Sequence, residues 1–132
     1  MGKKDETIGP VNVIDTDILI DFFRGVALAT KFIKEHIDTI VFSAITETEL
    51  LSGNICNDPK ERENVFHLLS QFQKIPVDNP LVQFAGDVRR NYGLAVPDAI
   101  IAATALLLNA TLITRNIHDF QKVKSLAVKK PY

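Results

Sequence analysis

The sequence predicts an α/β fold: a three-layer α/β/α sandwich around a central, mostly parallel sheet of four or five strands. Short β-type apolar runs recur at residues 11–14, 39–42, 75–77, 111–114 and 125–128, and between them lie stretches whose apolar residues return at helical spacing. Such helical crossovers make successive strands parallel and cover both faces of the sheet. A second observation concerns charge. Asp15, Glu49, Asp98 and Asp119 each fall at a strand end or a helix start. In an alternating α/β fold those junctions gather at one edge of the sheet, where ligands bind.

The elements follow in order. Residues 1–10 hold two lysines, two acids and the breaker Gly9-Pro10, the composition of a flexible tail, which leaves 11–132 as a single domain. The run 11–14 stops at Asp15. Ile18, Leu19, Phe22 and Phe23 then recur at helical spacing until Gly25. A second helix is expected over 27–37, with Leu28, Phe32 and Ile33 on its inner face, before the buried strand 39–42. Residues 43–51 read as a helix closed by Gly53, and 54–59 as a loop. An amphipathic helix over 60–72 would turn Val65, Leu68, Leu69 and Phe72 inward, and 75–77 would form a weak strand. Asn79-Pro80 opens a helix through Leu81, Phe84, Ala85 and Val88 that Gly93 stops. Pro97 opens the most apolar helix, 98–108, expected to be buried on nearly every side. A strand at 111–114, a short helix at 119–123 and a last strand at 125–128 complete the alternation.

Bulk properties narrow the function. At 132 residues and 46% hydrophobic content, the chain is large enough for a proper core, and its net charge of −1 offers no global basic field for nucleic acid. The adjacent Arg89 and Arg90, and Arg115, leave room for a local basic patch or a solvated face. One cysteine, Cys56, permits neither a disulfide frame nor a thiolate metal cluster. Without a secretory pattern in residues 1–10 or an apolar tract long enough for a bilayer, a cytoplasmic protein is expected.

The acids carry the chemistry. A helix has one N-cap position, so capping explains only one of Asp15 and Asp17. Asp15 is read as a metal ligand whose carboxylate the Thr16 hydroxyl orients, and Asp17 as the cap or an outer acid. Glu47 and Glu49 share the first turns of one helix but face differently; Glu49 lies beside the buried Leu50–Leu51 side, Glu47 toward solvent. Asp98 opens an almost wholly apolar helix, and no basic residue between Arg90 and Arg115 pairs with it locally. In Thr114-Arg115-Asn116-Ile117-His118-Asp119, either Asn116 or Asp119 completes the ring, and Arg115 meets a phosphate or a surface acid. Carboxylates gathered this way repel unless a hard divalent cation shares them. His36, His67 and His118 build no nucleophile constellation.

Four stretches, in order, resemble the PIN-domain nucleases and most closely the toxin subunits of VapBC-type toxin–antitoxin pairs. They are Val13-Ile14-Asp15-Thr16-Asp17-Ile18-Leu19, Ser43-Ala44-Ile45-Thr46-Glu47-Thr48-Glu49-Leu50, Pro97-Asp98-Ala99-Ile100-Ile101-Ala102-Ala103 and Leu112-Ile113-Thr114-Arg115-Asn116. The resemblance implies that Asp15, Glu49 and Asp98 hold Mg²⁺ or Mn²⁺, that RNA is the substrate, and that the chain forms a homodimer and binds a small antitoxin. Asp17 departs from the small polar residue frequent at its position, and with Asn at 116, Asp119 is the candidate fourth acid. Two rivals remain. Asp15-Thr16-Asp17 matches the Asp-x-Asp core of haloacid-dehalogenase-type phosphatases, although the strand ending at Thr114 lacks their acid pair. In a non-catalytic binding module the acids would serve only as helix caps.

Overall fold

The computed structural model describes residues 11–132; the expected tail, 1–10, lies outside the described residues. Five strands form one sheet: β1 (Asn12–Ile14), β2 (Ile40–Ser43), β3 (Gln73–Ile75), β4 (Thr111–Ile113) and β5 (Ala127–Lys129), in the spatial order β3-β2-β1-β4-β5. Every pairing is parallel, a stricter arrangement than the expected mostly parallel sheet. The central β1 sets Asn12 opposite Ile40 on one side and Thr111 on the other.

The strand period of two sorts the core. Val13, Val41 and Leu112 face one helical layer, while Ile14, Ile40, Phe42 and Ile113 face the other. The first face packs against α5 (Asn79–Tyr92) and α6 (Val96–Leu108) through Leu81, Ala85, Val88, Ile101 and Ala105. The second packs against α1 (Thr16–Phe23), α2 (Ala27–Glu35), α3 (Ala44–Leu51) and α4 (Pro59–Leu69) through Ile18, Leu19, Phe32, Ile33, Leu50 and Val65. Both faces are therefore covered, as continuous apolar strands require.

Local signals mark the helix ends. Asp58 and Asp78 cap α4 and α5, each with a proline in the first turn. Gly93 closes α5 at φ 72°, and the chain turns by 113° into α6. Ser43 caps α3 through the Ile45 amide. Among the described residues no single helix is long and apolar enough to cross a membrane.

Several boundaries and faces differ from expectation. Leu28 is exposed, and Ala29 replaces it on the inner face of α2 with Phe32 and Ile33. That helix also stops at Glu35 rather than running to 37. Residues 54–57 form a 3₁₀ turn instead of open loop. α4 ends at Leu69, and Phe72 is buried from beyond it. β3 lies at 73–75, two residues before the apolar run, because pairing to Val41–Ser43 selects an edge strand with polar residues. The helix expected at 119–123 is the short α7 (Ile117–Phe120), started by the Asn116 cap. β5 begins at Ala127, since Ser125 sits at φ 68°, outside extended geometry. The last turn of α6 leaves Leu107 and Leu108 exposed, so its burial is confined to the middle of the helix.

Candidate active site

Asp15 leaves the carboxyl end of β1 and occupies the N-cap position of α1. Its Oδ1 accepts the Thr16 amide at 2.8 Å and its Oδ2 the Thr114 hydroxyl at 2.7 Å. Asp15, not Asp17, is thus the cap, a correction to the sequence reading. Thr114 follows β4, the neighbour of β1 in the sheet, so two adjacent strand ends fix this carboxylate. With only 6% of Asp15 exposed, burial pushes its carboxyl up to about 7, and the Asp17 charge adds to that effect.

The expected Thr16 hydroxyl bond to Asp15 is not formed. That hydroxyl donates to Glu49 Oε1 at 2.6 Å and also meets the buried Thr46 hydroxyl at 3.0 Å; only the Thr16 backbone reaches Asp15. One threonine therefore ties α1 to α3, with its amide on Asp15 and its hydroxyl on Glu49. Glu47 goes elsewhere, to Lys74 Nζ at 3.3 Å.

Asp17 lies one residue further into α1. Its Oδ2 accepts the Arg115 amide at 3.0 Å, while its buried Oδ1 has no hydrogen-bond partner among the described residues. Burial is the main cause raising its carboxyl above the ordinary value.

Asp98 stands in the first turn of α6, where the cap residue, Ala95, offers no side-chain bond. Burial raises its carboxyl, followed by the charges of Glu49, Asp119 and Asp17. Asn116 and Asp119 do not compete for one role. Asn116 caps α7, accepting the Asp119 amide at 3.5 Å, and its Nδ2 donates to Asp119 Oδ2 at 3.1 Å.

Arg115 meets an acid, Asp21, with Nη1 2.9 Å from Asp21 Oδ2. Asp21, Thr46 and Tyr132 escaped the sequence reading. Asp21 alone left a trace, as the one acid in the run Ile18–Phe23, one turn after Asp17. Tyr132 donates to Asp21 at 2.7 Å, and burial together with that bond pushes its phenol above its usual range. The Arg89–Arg90 pair lies on α5, where Arg90 binds Asp87 at 3.0 Å.

A divalent ion fits this donor set by chemistry. The acids are oxygen donors, they raise one another's proton affinity, and the buried Asp17 Oδ1 lacks a partner among the described residues. They are not closed into a cage: among the described residues no three His, Cys, Asp or Glu side chains stand arranged to hold a metal ion.

An all-parallel sheet with a buried acid at the end of its central strand, held by the threonine that follows the neighbouring strand, defines the class, and the PIN domain family model matches residues 13–126. The chain belongs to the PIN domain family. It is 29% identical over 134 residues to "Ribonuclease VapC19" of Mycobacterium tuberculosis, covering 92% of this chain and all of that protein. It superposes on a chain of a toxin–antitoxin complex from Klebsiella pneumoniae with a TM-score of 0.80 and 33% identity, covering 92% of this chain and 98% of the other. A DNA-bound VapBC structure from Salmonella typhimurium matches at a TM-score of 0.83 and 16% identity over 93% of this chain and 99% of the other, a likeness of fold. Neither the phosphatase nor the non-catalytic module finds support among these relatives.

Proposed function

We propose that this PIN-domain protein is a metal-dependent endoribonuclease hydrolysing RNA phosphodiester bonds, and the toxin of a VapBC-type pair. The observation that carries the reading is electrostatic convergence. Asp98, on α6, carries a carboxyl raised first by burial and then by the charges of Glu49 of α3, Asp119 of α7 and Asp17 of α1, and Asp98 in turn adds the smallest contribution at Asp15. Acids from four helices and a strand end thus feel one another at the carboxyl edge of the sheet.

In this reading Asp15, Glu49 and Asp98 hold Mg²⁺ or Mn²⁺, and Asp119, steadied by Asn116, is the fourth acid. A bound cation of this kind lowers the pKa of water and stabilises charge on a phosphoryl oxygen and the departing oxygen. The chain's own residues set the geometry. Thr114 and the Thr16 amide fix Asp15, the Thr16 hydroxyl fixes Glu49, and Arg115 offers a cation to the substrate phosphate. The name of the mycobacterial relative supports ribonuclease activity, and the Klebsiella complex supports an antitoxin partner. A cleft of about 340 Å³ lined by Ile20, Phe23, Leu50 and Ile55 reaches Glu49, where an antitoxin segment would cover the site. A homodimer and a cytoplasmic location belong to the same reading.

The test is cleavage of RNA with Mg²⁺ or Mn²⁺ by the wild type and by Asp98→Asn. Loss of cleavage in the variant with an unchanged circular dichroism spectrum is expected. Full activity in Asp98→Asn would remove its assigned role.

A further inference from the structure

Arg115 leaves β4 in a posture held from three directions. Its amide donates to Asp17 Oδ2 at 3.0 Å, and its Nη1 donates to Asp21 Oδ2 at 2.9 Å. The same Asp21 oxygen accepts the Tyr132 hydroxyl at 2.7 Å, and the guanidinium carbon lies 5.9 Å from the Tyr132 ring centroid. Helix α1, the exit of β4 and the segment beyond β5 therefore meet at one ion pair.

The pair is asymmetric. The Asp21 side chain is 10% exposed, whereas that of Arg115 is 49% exposed. A guanidinium carries five N–H donors in a rigid fork. Among the described residues one is spent on Asp21, which leaves most of the fork available on a half-exposed side chain. Arg115 follows directly on Thr114, whose hydroxyl holds Asp15. A planar cation with spare donors beside a group of acids is suited to binding a phosphodiester bidentately, and fixing it beforehand lowers the entropy lost on binding.

We infer that Asp21 and Tyr132 are positioning residues that hold Arg115 as a clamp for an RNA backbone phosphate beside the acidic site. This rests on the ribonuclease reading and deepens it. Tyr132 acts through Asp21 and through its ring, and touches no substrate. Arg115 supplies the charge.

The test is binding of a short fluorescein-labelled single-stranded RNA by anisotropy with Mg²⁺, in an Asp98→Asn background and over a range of salt. Tyr132→Phe is expected to weaken binding about three- to tenfold, the worth of one hydrogen bond, without changing the salt dependence. Arg115→Ala is expected to weaken it further and to lower the slope of log affinity against log salt by about 0.7, one phosphate contact on a single strand. Arg115→Lys should keep the slope and recover only part of the affinity. Melting temperatures of all variants verify folding. Variants that shift the melting temperature but leave affinity and slope alone would make the cluster purely structural and overturn the clamp. RNA cleavage by the wild type alongside that result would leave the ribonuclease reading standing. A parent protein that binds no RNA would overturn both.

Discussion

Asp15 provides a measurable consequence of burying an acid. Its carboxyl moves from an ordinary 3.8 to about 7, chiefly through burial. An acid with a higher pKa folded than unfolded binds its proton more tightly in the native state. Its penalty is absent below about pH 4, where both states are protonated. The penalty grows as pH rises toward 7, because the unfolded chain has released a proton the native state retains, and is complete above that. At full ionisation the cost is on the order of 4 kcal/mol. Asp15→Asn removes the charge but keeps an oxygen for the Thr16 amide. Urea unfolding of both proteins in chelator, between about pH 4 and about pH 8, should therefore show the wild type losing up to roughly 4 kcal/mol relative to the variant. Mg²⁺ or Mn²⁺ should restore the wild type at the alkaline end, by about 2.7 kcal/mol at a hundredfold excess over its dissociation constant. A stability difference independent of pH, or a wild type that gains on the variant as pH rises, would refute the reasoning.

Other expectations are more local. Thr16→Val removes the hydroxyl shared by Glu49 and Thr46 and should cost about 1–3 kcal/mol in urea unfolding together with most RNA cleavage, with Thr16→Ser restoring both. Asp119→Asn should impair metal-dependent cleavage more than Asn116→Ala, since only Asp119 brings a charge to Asp98; equal activity of Asp119→Asn and wild type would remove Asp119 from the site. Ile101→Ala, at a fully buried position between α6 and the sheet, should lower stability by about 2–5 kcal/mol, and a loss below 1 kcal/mol would contradict the packing described.

The strand order could not be read locally, but the layering could. Val13 and Ile14 alternate between the two cores, and their runs are apolar because both faces are covered. Local patterns failed where tertiary pairing decides. Ile75-Pro76-Val77 looks more strand-like than Gln73–Ile75, yet proline cannot donate to a ladder, and the register to β2 takes the polar residues at the edge. Leu28 matched the spacing of Phe32, but the helix turns Ala29 inward. At the site, Asp15, Asp98 and Asp119 do sit at helix starts, whereas Glu49, expected in the first turns of its helix, lies in the last turn of α3. The partners of the acids were not legible: Thr16 meets Glu49 from 33 residues away, Thr114 meets Asp15 from 99, and Tyr132 meets Asp21 from 111. Those separations close only through the sheet order.

The central claim is that Asp15, Glu49 and Asp98 share a divalent cation at the carboxyl edge of the sheet. Anomalous diffraction from a crystal grown with Mn²⁺ tests it most directly. A peak within coordination distance of the Asp15 and Asp98 carboxylates, with Glu49 beside it, is the expected result. Ordered carboxylates facing apart, with no peak between them at saturating Mn²⁺, would contradict it.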